Sequence, residues 1–155
     1  MEIRTSREKV DWEGVAKLLN ASGLSEVGAE MQEKIFRQSY AVAFAYEGGE
    51  FVGCARAISD GVCQAAIFNV AVREPYRGKG VARQLVASLL AQLEGCIVTL
   101  YTHPRFLGLY EKLGFRRQKT GFVAFTKGAS HAALMEREGF LLKEGFRFEG
   151  ETGEV

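Results

Sequence analysis

Apolar residues recur along this chain with two alternating periods. Trp12, Val15, Leu18 and Leu19 fall at helical spacing behind Asp11, a fair N-cap, and Gly23 lies beyond the end. Val27, Met31 and Ile35 repeat every four residues and predict a second helix over about 26–38. A short opening strand over 3–5 precedes both. Tyr40 to Tyr46 and Phe51 to Ile58 flank Glu47-Gly48-Gly49-Glu50, the pattern of a hairpin. After the turn at Ser59-Asp60-Gly61, Cys63 to Val72 is mostly apolar on both faces, as a central strand should be. Pro75 cannot continue such a strand, because it has no N–H for the ladder.

A helical stripe of Val81, Leu85, Val86, Leu89, Leu90 and Leu93 follows, and Gly95 stops it. Cys96 to Tyr101 then reads as a strand. Strand, helix and strand with short joins form a βαβ unit, so these two strands are expected to run parallel. Pro104 suits the first turn of a helix ending near Leu113, with Gly114 at the left-handed cap. Phe115–Arg117 and Phe122–Thr126 predict a closing hairpin, and His131 to Glu138 a final helix.

The chain has 155 residues, 47% of them hydrophobic and 25% charged, which suits one globular domain. A net charge of +1 argues against a nucleic-acid binder. No apolar run approaches the ~20 residues of a membrane span. Met1-Glu2-Ile3-Arg4 does not start a signal peptide, so a cytoplasmic location is expected. Cys54, Cys63 and Cys96 form no paired motif and are expected as buried, reduced thiols. His103 and His131 have no partner at ligand spacing, so no metal site is expected. Residues 128–155 carry six acids and three bases, a net of −3 that leaves +4 for residues 1–127.

Candidate chemistry concentrates at Arg77-Gly78-Lys79-Gly80, on the entry to a helix. The N–H groups of a first helical turn have no intrahelical acceptor, and the helix dipole favours negative charge beside them. Two glycines allow an anion to approach the backbone, and two cations attract it. A Walker loop would need glycine where Arg73 stands, and a dinucleotide fingerprint would need it at Arg83.

The segment Arg77-Gly78-Lys79-Gly80-Val81-Ala82 instead resembles the Gln/Arg-x-x-Gly-x-Gly/Ala motif of the GCN5-related N-acetyltransferase (GNAT) family. The agreement extends upstream through Val70-Ala71-Val72-Arg73-Glu74-Pro75-Tyr76. Tyr110-Glu111-Lys112-Leu113-Gly114-Phe115 is similar to the family's second signature, Tyr-x-x-x-Gly-Phe. The resemblance covers residues 1 to about 127, the expected acetyltransferase domain, and leaves 128–155 as an extension of unassigned role. It implies an α/β fold. The sheet would be mixed, mostly antiparallel and twisted, with six to seven strands, a central splayed parallel pair and about four flanking helices.

It further implies transfer of an acetyl group from acetyl-CoA to a primary amine of a small molecule, by direct attack through a tetrahedral intermediate. Backbone N–H groups of Arg77, Gly78, Lys79, Gly80, Val81 and Ala82 would cradle the CoA pyrophosphate. The strand would bulge near Asn69 to Val72, and Val70, Ala71 and Val72 would meet the pantetheine arm. Tyr110 would contact the cofactor and act as general acid toward the leaving thiolate. On periodicity alone it packs with Phe106, Leu107 and Leu113. His103 stands where relatives place a cofactor-contacting asparagine; it could donate that bond or simply cap the helix before Pro104.

The general base stays open. Residues 62–72 contain no carboxylate, and Asn69 sits where an acid would be useful. Water, Asp60, Glu47 or His103 could serve. Trp12, Phe36, Tyr40 and Phe44 are candidates for an acceptor lining or for ordinary core, and Glu30 and Glu33 for attracting an amine. A homodimer is compatible with the family. Two other readings compete: a CoA-binding sensor or partner module without turnover, and an interaction protein acting through its acidic tail.

Overall fold

Asp11 sets the first helix. Its carboxylate accepts the Gly14 N–H at 2.9 Å, satisfying a donor the helix itself leaves unpaired. The computed structural model, which describes residues 1–126 and 129–151, continues from there as α1 (Trp12–Ala21) and α2 (Ala29–Gln38). α2 begins three residues later than its periodicity predicts. Ser25 holds the preceding loop, accepting the Val27 N–H at 3.3 Å and the buried Gln32 side-chain amide at 2.6 Å.

Five strands, β1 (Glu2–Arg4), β2 (Ala41–Glu47), β3 (Glu50–Ser59), β4 (Gln64–Val72) and β5 (Ile97–Thr99), form one sheet in chain order. The first three pairings are antiparallel, and β4–β5 is parallel. Helix α3 (Val81–Gln92) makes the crossover between that last pair. The chain divides into two units, residues 1–100 and 101 onward. The second holds α4 (Leu107–Lys112), preceded by a 3₁₀ turn (Pro104–Phe106), and α5 (Ala129–Arg137).

In the first unit, one apolar cluster joins α1 and α2 to the sheet. Val15, Leu19, Phe36, Val42, Phe44 and Cys54 are all fully buried within it. Trp12, Phe36 and Phe44 stack ring against ring at 5.5–5.9 Å. Val81, Leu85, Val86 and Leu89 bury the inner stripe of α3.

Several expectations are corrected. Among the described residues the sheet has five strands, not six or seven. The hairpin expected over 115–117 and 122–126 is not formed: among the described residues no strand follows β5, and Phe122 is fully exposed. Aromatic and β-branched composition fits a pleated surface but makes no ladder without a partner edge. The parallel pair is consequently at the sheet margin rather than its centre. The helix expected over 104–113 is split, with the proline in a 3₁₀ turn before α4. Only Cys54 is buried; Cys96 is half-buried, and Cys63 is exposed because it ends the turn before β4.

Candidate active site

Arg73 leaves the end of β4 with its N–H bonded to the Val52 carbonyl at 2.8 Å. Its guanidinium reaches the Phe51 carbonyl at 3.2 Å and pairs with Glu50. Tyr76 donates to the other Glu50 oxygen at 3.0 Å. A single 3₁₀ turn, Glu74–Tyr76, carries Pro75. Arg77 then folds back, its Nε donating to the Val72 carbonyl at 3.0 Å. The start of the loop is thus pinned to the sheet on both sides.

Beyond Arg77 the backbone opens. Gly78 and Gly80 have φ of 72° and 79°, the left-handed region that favours glycine. A Cβ placed on either would meet nothing within 4 Å, so no packing within the protein demands glycine there. Gly80 caps α3 without any side-chain bond, and the first helical bond runs from Gln84 N–H to the Gly80 carbonyl. Among the described residues, the N–H groups from Gly78 to Arg83 therefore meet no acceptor. The first turn of α3 carries no acid. Exposed Lys79 sits 5.5 Å from the Tyr76 ring. Such a run of unpaired donors at the start of a twelve-residue helix is chemically suited to an anion.

β4 carries the second feature. Arg56 pairs with Phe68 and Cys54 with Ala71, so Asn69 and Val70 together oppose Ala55. That is a two-against-one bulge, and Asn69 takes φ 56° within it. On the other edge, β4 pairs with β5 only from Gln64 to Ala66. From Ile67 to Val72 that edge has no strand partner among the described residues, leaving backbone that an extended ligand could pair with. Val70 is half-buried, Ala71 and Val72 buried.

In the second unit, Tyr110 is half-buried on α4 and lies edge-on to Phe115 at 5.8 Å. Burial pushes its phenol above the usual range, and a bond with Thr102 pulls the other way. Gly114 is left-handed, and Phe115 N–H closes on the Tyr110 carbonyl at 3.0 Å. His103 Nδ1 accepts the Arg105 N–H at 3.2 Å, so the imidazole caps the 3₁₀ turn. Its Nε2 is 3.8 Å from a Glu138 oxygen, and Phe140 meets the ring edge-on at 5.5 Å.

The carboxylates considered as bases are engaged. Asp60 accepts backbone N–H groups of Val62, Cys63 and Gln64, which hold its carboxyl far below the usual carboxylate range. Glu47 lies 2.6 Å from the Met1 ammonium. Glu33 pairs with Arg37 at 2.7 Å along α2, while Glu30 rims a shallow cavity with Glu13, Met31 and Lys34. Trp12, Phe36 and Phe44 belong to the core, and Tyr40 is half-exposed.

Sequence reasoning missed Arg56. Its Nε donates to Asn69 Oδ1 at 2.6 Å, and its guanidinium lies 5.1 Å over the Phe68 ring. No local signal announces this, because it depends on strand register.

The sequence profile described as the acetyltransferase (GNAT) family matches residues 12–115. Among curated relatives, serotonin N-acetyltransferase 2 of Oryza sativa is 39% identical over 70 residues, 43% of this chain and 35% of that protein. An uncharacterised SPbeta prophage-derived N-acetyltransferase of Bacillus subtilis is 34% identical over 90 residues, half of each chain. The matches thus span from about a third to half of those proteins' lengths. Among solved structures, a GNAT-family acetyltransferase of Streptococcus pneumoniae superposes with TM-score 0.70 at 25% identity, covering 82% of this chain and 98% of that one. An aminoglycoside 6′-N-acetyltransferase complexed with coenzyme A shares the fold, at TM-score 0.64 and 16% identity, over 74% and 84%. With the profile covering well over half of its residues, this chain belongs to the GNAT acetyltransferase family.

Proposed function

We propose that the protein is an N-acetyltransferase that moves an acetyl group from acetyl-CoA to a primary amine of a small molecule. The observation that carries this reading is the run of unpaired backbone donors from Gly78 to Arg83, with open space where the two glycine side chains would be. That cradle suits a diphosphate, which needs several converging N–H groups and no nearby carboxylate. Acetyl-CoA supplies the acetyl group already activated as a thioester.

The chain's own residues do the rest. Gly78 to Ala82 bind the diphosphate, with Lys79 adding charge. Arg77, expected in the cradle, instead anchors it: its backbone N–H is bonded to the Glu74 carbonyl at 3.1 Å and its Nε to the Val72 carbonyl at 3.0 Å. Val70, Ala71 and Val72 align the pantetheine arm along the unpaired edge of β4, and a backbone N–H there polarises the thioester carbonyl. Tyr110 holds the proton for the departing sulfur, and its raised phenol pKa keeps that proton in place at neutral pH. His103 orients this segment through its cap and offers Nε2 to the cofactor. An alkyl ammonium has a pKa near ~10, so the acceptor must lose a proton first. With Asp60 and Glu47 engaged, and the His103 Nδ1 lone pair taken by the Arg105 N–H, water removes it.

The acceptors named for relatives, serotonin and an aminoglycoside, are amines, and at these identities they support the amine class only. Three free cysteines suit a reducing cytoplasm. The test is calorimetric titration with acetyl-CoA, followed by thiol release across an amine panel. Saturable binding and release with at least one amine are expected; no binding would end the reading. The missing carboxylate on β4 favours a second reading, a CoA-binding sensor, which predicts binding with no release across the panel.

A further inference from the structure

Asn69 and Val70 face a single residue of β3, and such an extra residue bends a strand and re-aims the groups that follow it. The left-handed backbone of Asn69 is uncommon for a residue with a Cβ, although asparagine tolerates it better than most. Something must hold the strand in this shape. Arg56 is placed to do so. It is the register partner of Phe68, whose ring lies 5.1 Å beneath its guanidinium. Its Nε reaches past Phe68 to Asn69 Oδ1 at 2.6 Å, a charge-assisted bond. Nη1 reaches Ser39 Oγ at 3.4 Å, beside the end of α2. Asn69 donates its side-chain amide (Nδ2) to the Leu24 carbonyl at 3.4 Å, in the loop before α2. One side chain of β3 therefore holds Phe68 and Asn69, at the start of the β4 bulge, and Ser39 and Leu24 brace the pair.

We propose that Arg56 and Asn69 are positioning residues: their hydrogen bond fixes the β4 bulge and so presents Val70–Val72 to the cofactor arm. This rests on the reading that those residues meet the cofactor. It gives Asn69 a task of its own, as the arm of a clamp rather than a replaced base.

Three variants test it. Asn69→Gly permits the same φ but removes the side-chain bond. Arg56→Met keeps an apolar stem over Phe68 and loses the donor. Asn69→Asp retains an acceptor for Arg56 and gives up only the bond to Leu24. Hydrogen exchange of the 70–72 amides in the free protein and calorimetric CoA affinity are both read. In Asn69→Gly and Arg56→Met the exchange should quicken and CoA affinity should fall by about tenfold, the worth of one charge-assisted bond. The double variant should lose less than the sum of the two single losses, because both singles remove the shared Arg56–Asn69 bond. Asn69→Asp should bind CoA like the parent. If Arg56→Met fails to fold, the comparison of Asn69→Gly with Asn69→Asp decides alone. Unchanged exchange, with CoA affinity within about twofold of a parent that does bind, overturns the clamp and leaves the cofactor reading standing. A parent that does not bind CoA overturns the cofactor reading, and the clamp's purpose with it.

Discussion

Asp60 Oδ1 accepts the backbone N–H of Cys63 at 2.8 Å, while Oδ2 takes the thiol of the same residue at 3.2 Å. A carboxylate so occupied shapes a turn and is a poor proton acceptor. Asp60→Ala should lower the melting temperature and leave the pH profile of thiol release unchanged. The bonds hold the folded pKa below its unfolded value, so this contribution is present above about pH 4 and fades as pH falls through the lowered pKa. The gap in melting temperature between parent and variant should therefore narrow from pH 7 toward pH 2.

Gly78→Ala and Gly80→Ala should each lose CoA affinity far out of proportion to stability. Left-handed backbone costs a residue with a Cβ about 1–2 kcal/mol, and no steric clash adds to it, since each new methyl points into open space. Calorimetry beside thermal melting separates the two effects. A drop in melting temperature with unchanged CoA affinity would contradict the cradle.

Tyr110→Phe should reduce kcat by about 10²-fold with little change in CoA affinity. Burial raises the phenol pKa, so the parent keeps its acid protonated up to about pH 10 and beyond. The parent should thus show no alkaline loss of kcat from this group below that pH. The stability tied to the buried, neutral phenol is likewise present below the unfolded pKa and lost as pH rises through the folded one. Stopped-flow thiol release from pH 6 to 10 checks the kinetic claim.

The three thiols should react in order of exposure. Cys63 should label first with an alkylating reagent, although the neighbouring Asp60 carboxylate raises its pKa and slows it relative to a free thiol. Cys54 is buried, its pKa pushed up to about 12, and should label only on unfolding. Mass spectrometry after timed alkylation reads this directly.

Phe36→Ala should cost about 3–5 kcal/mol, because it removes one ring of the mutually packed Trp12, Phe36 and Phe44 cluster. Denaturant unfolding measures it.

Much of this was legible from spacing. Val15, Leu18 and Leu19 announce one face of α1, and Asp11 its start. Gly78 and Gly80 announce a loop that a helix follows. In both cases the signal lies within a few residues of chain. What stayed hidden depends on register between strands. Arg56 and Asn69 are thirteen residues apart, and only the β3–β4 pairing brings them to 2.6 Å. The same holds in reverse for residues 115–126, whose composition suits strands but which pair with no strand among the described residues. Cys63 looked buried because its neighbours are apolar, yet its place at the end of a turn leaves it in solvent.

The order of strands across the sheet is their order along the chain. During synthesis each of β3, β4 and β5 can therefore dock on an edge already in place, without waiting for a later segment. Only β1 must wait, until β2 emerges. Such near-neighbour pairing keeps loop-closure costs small and leaves few apolar edges exposed while the ribosome is still at work.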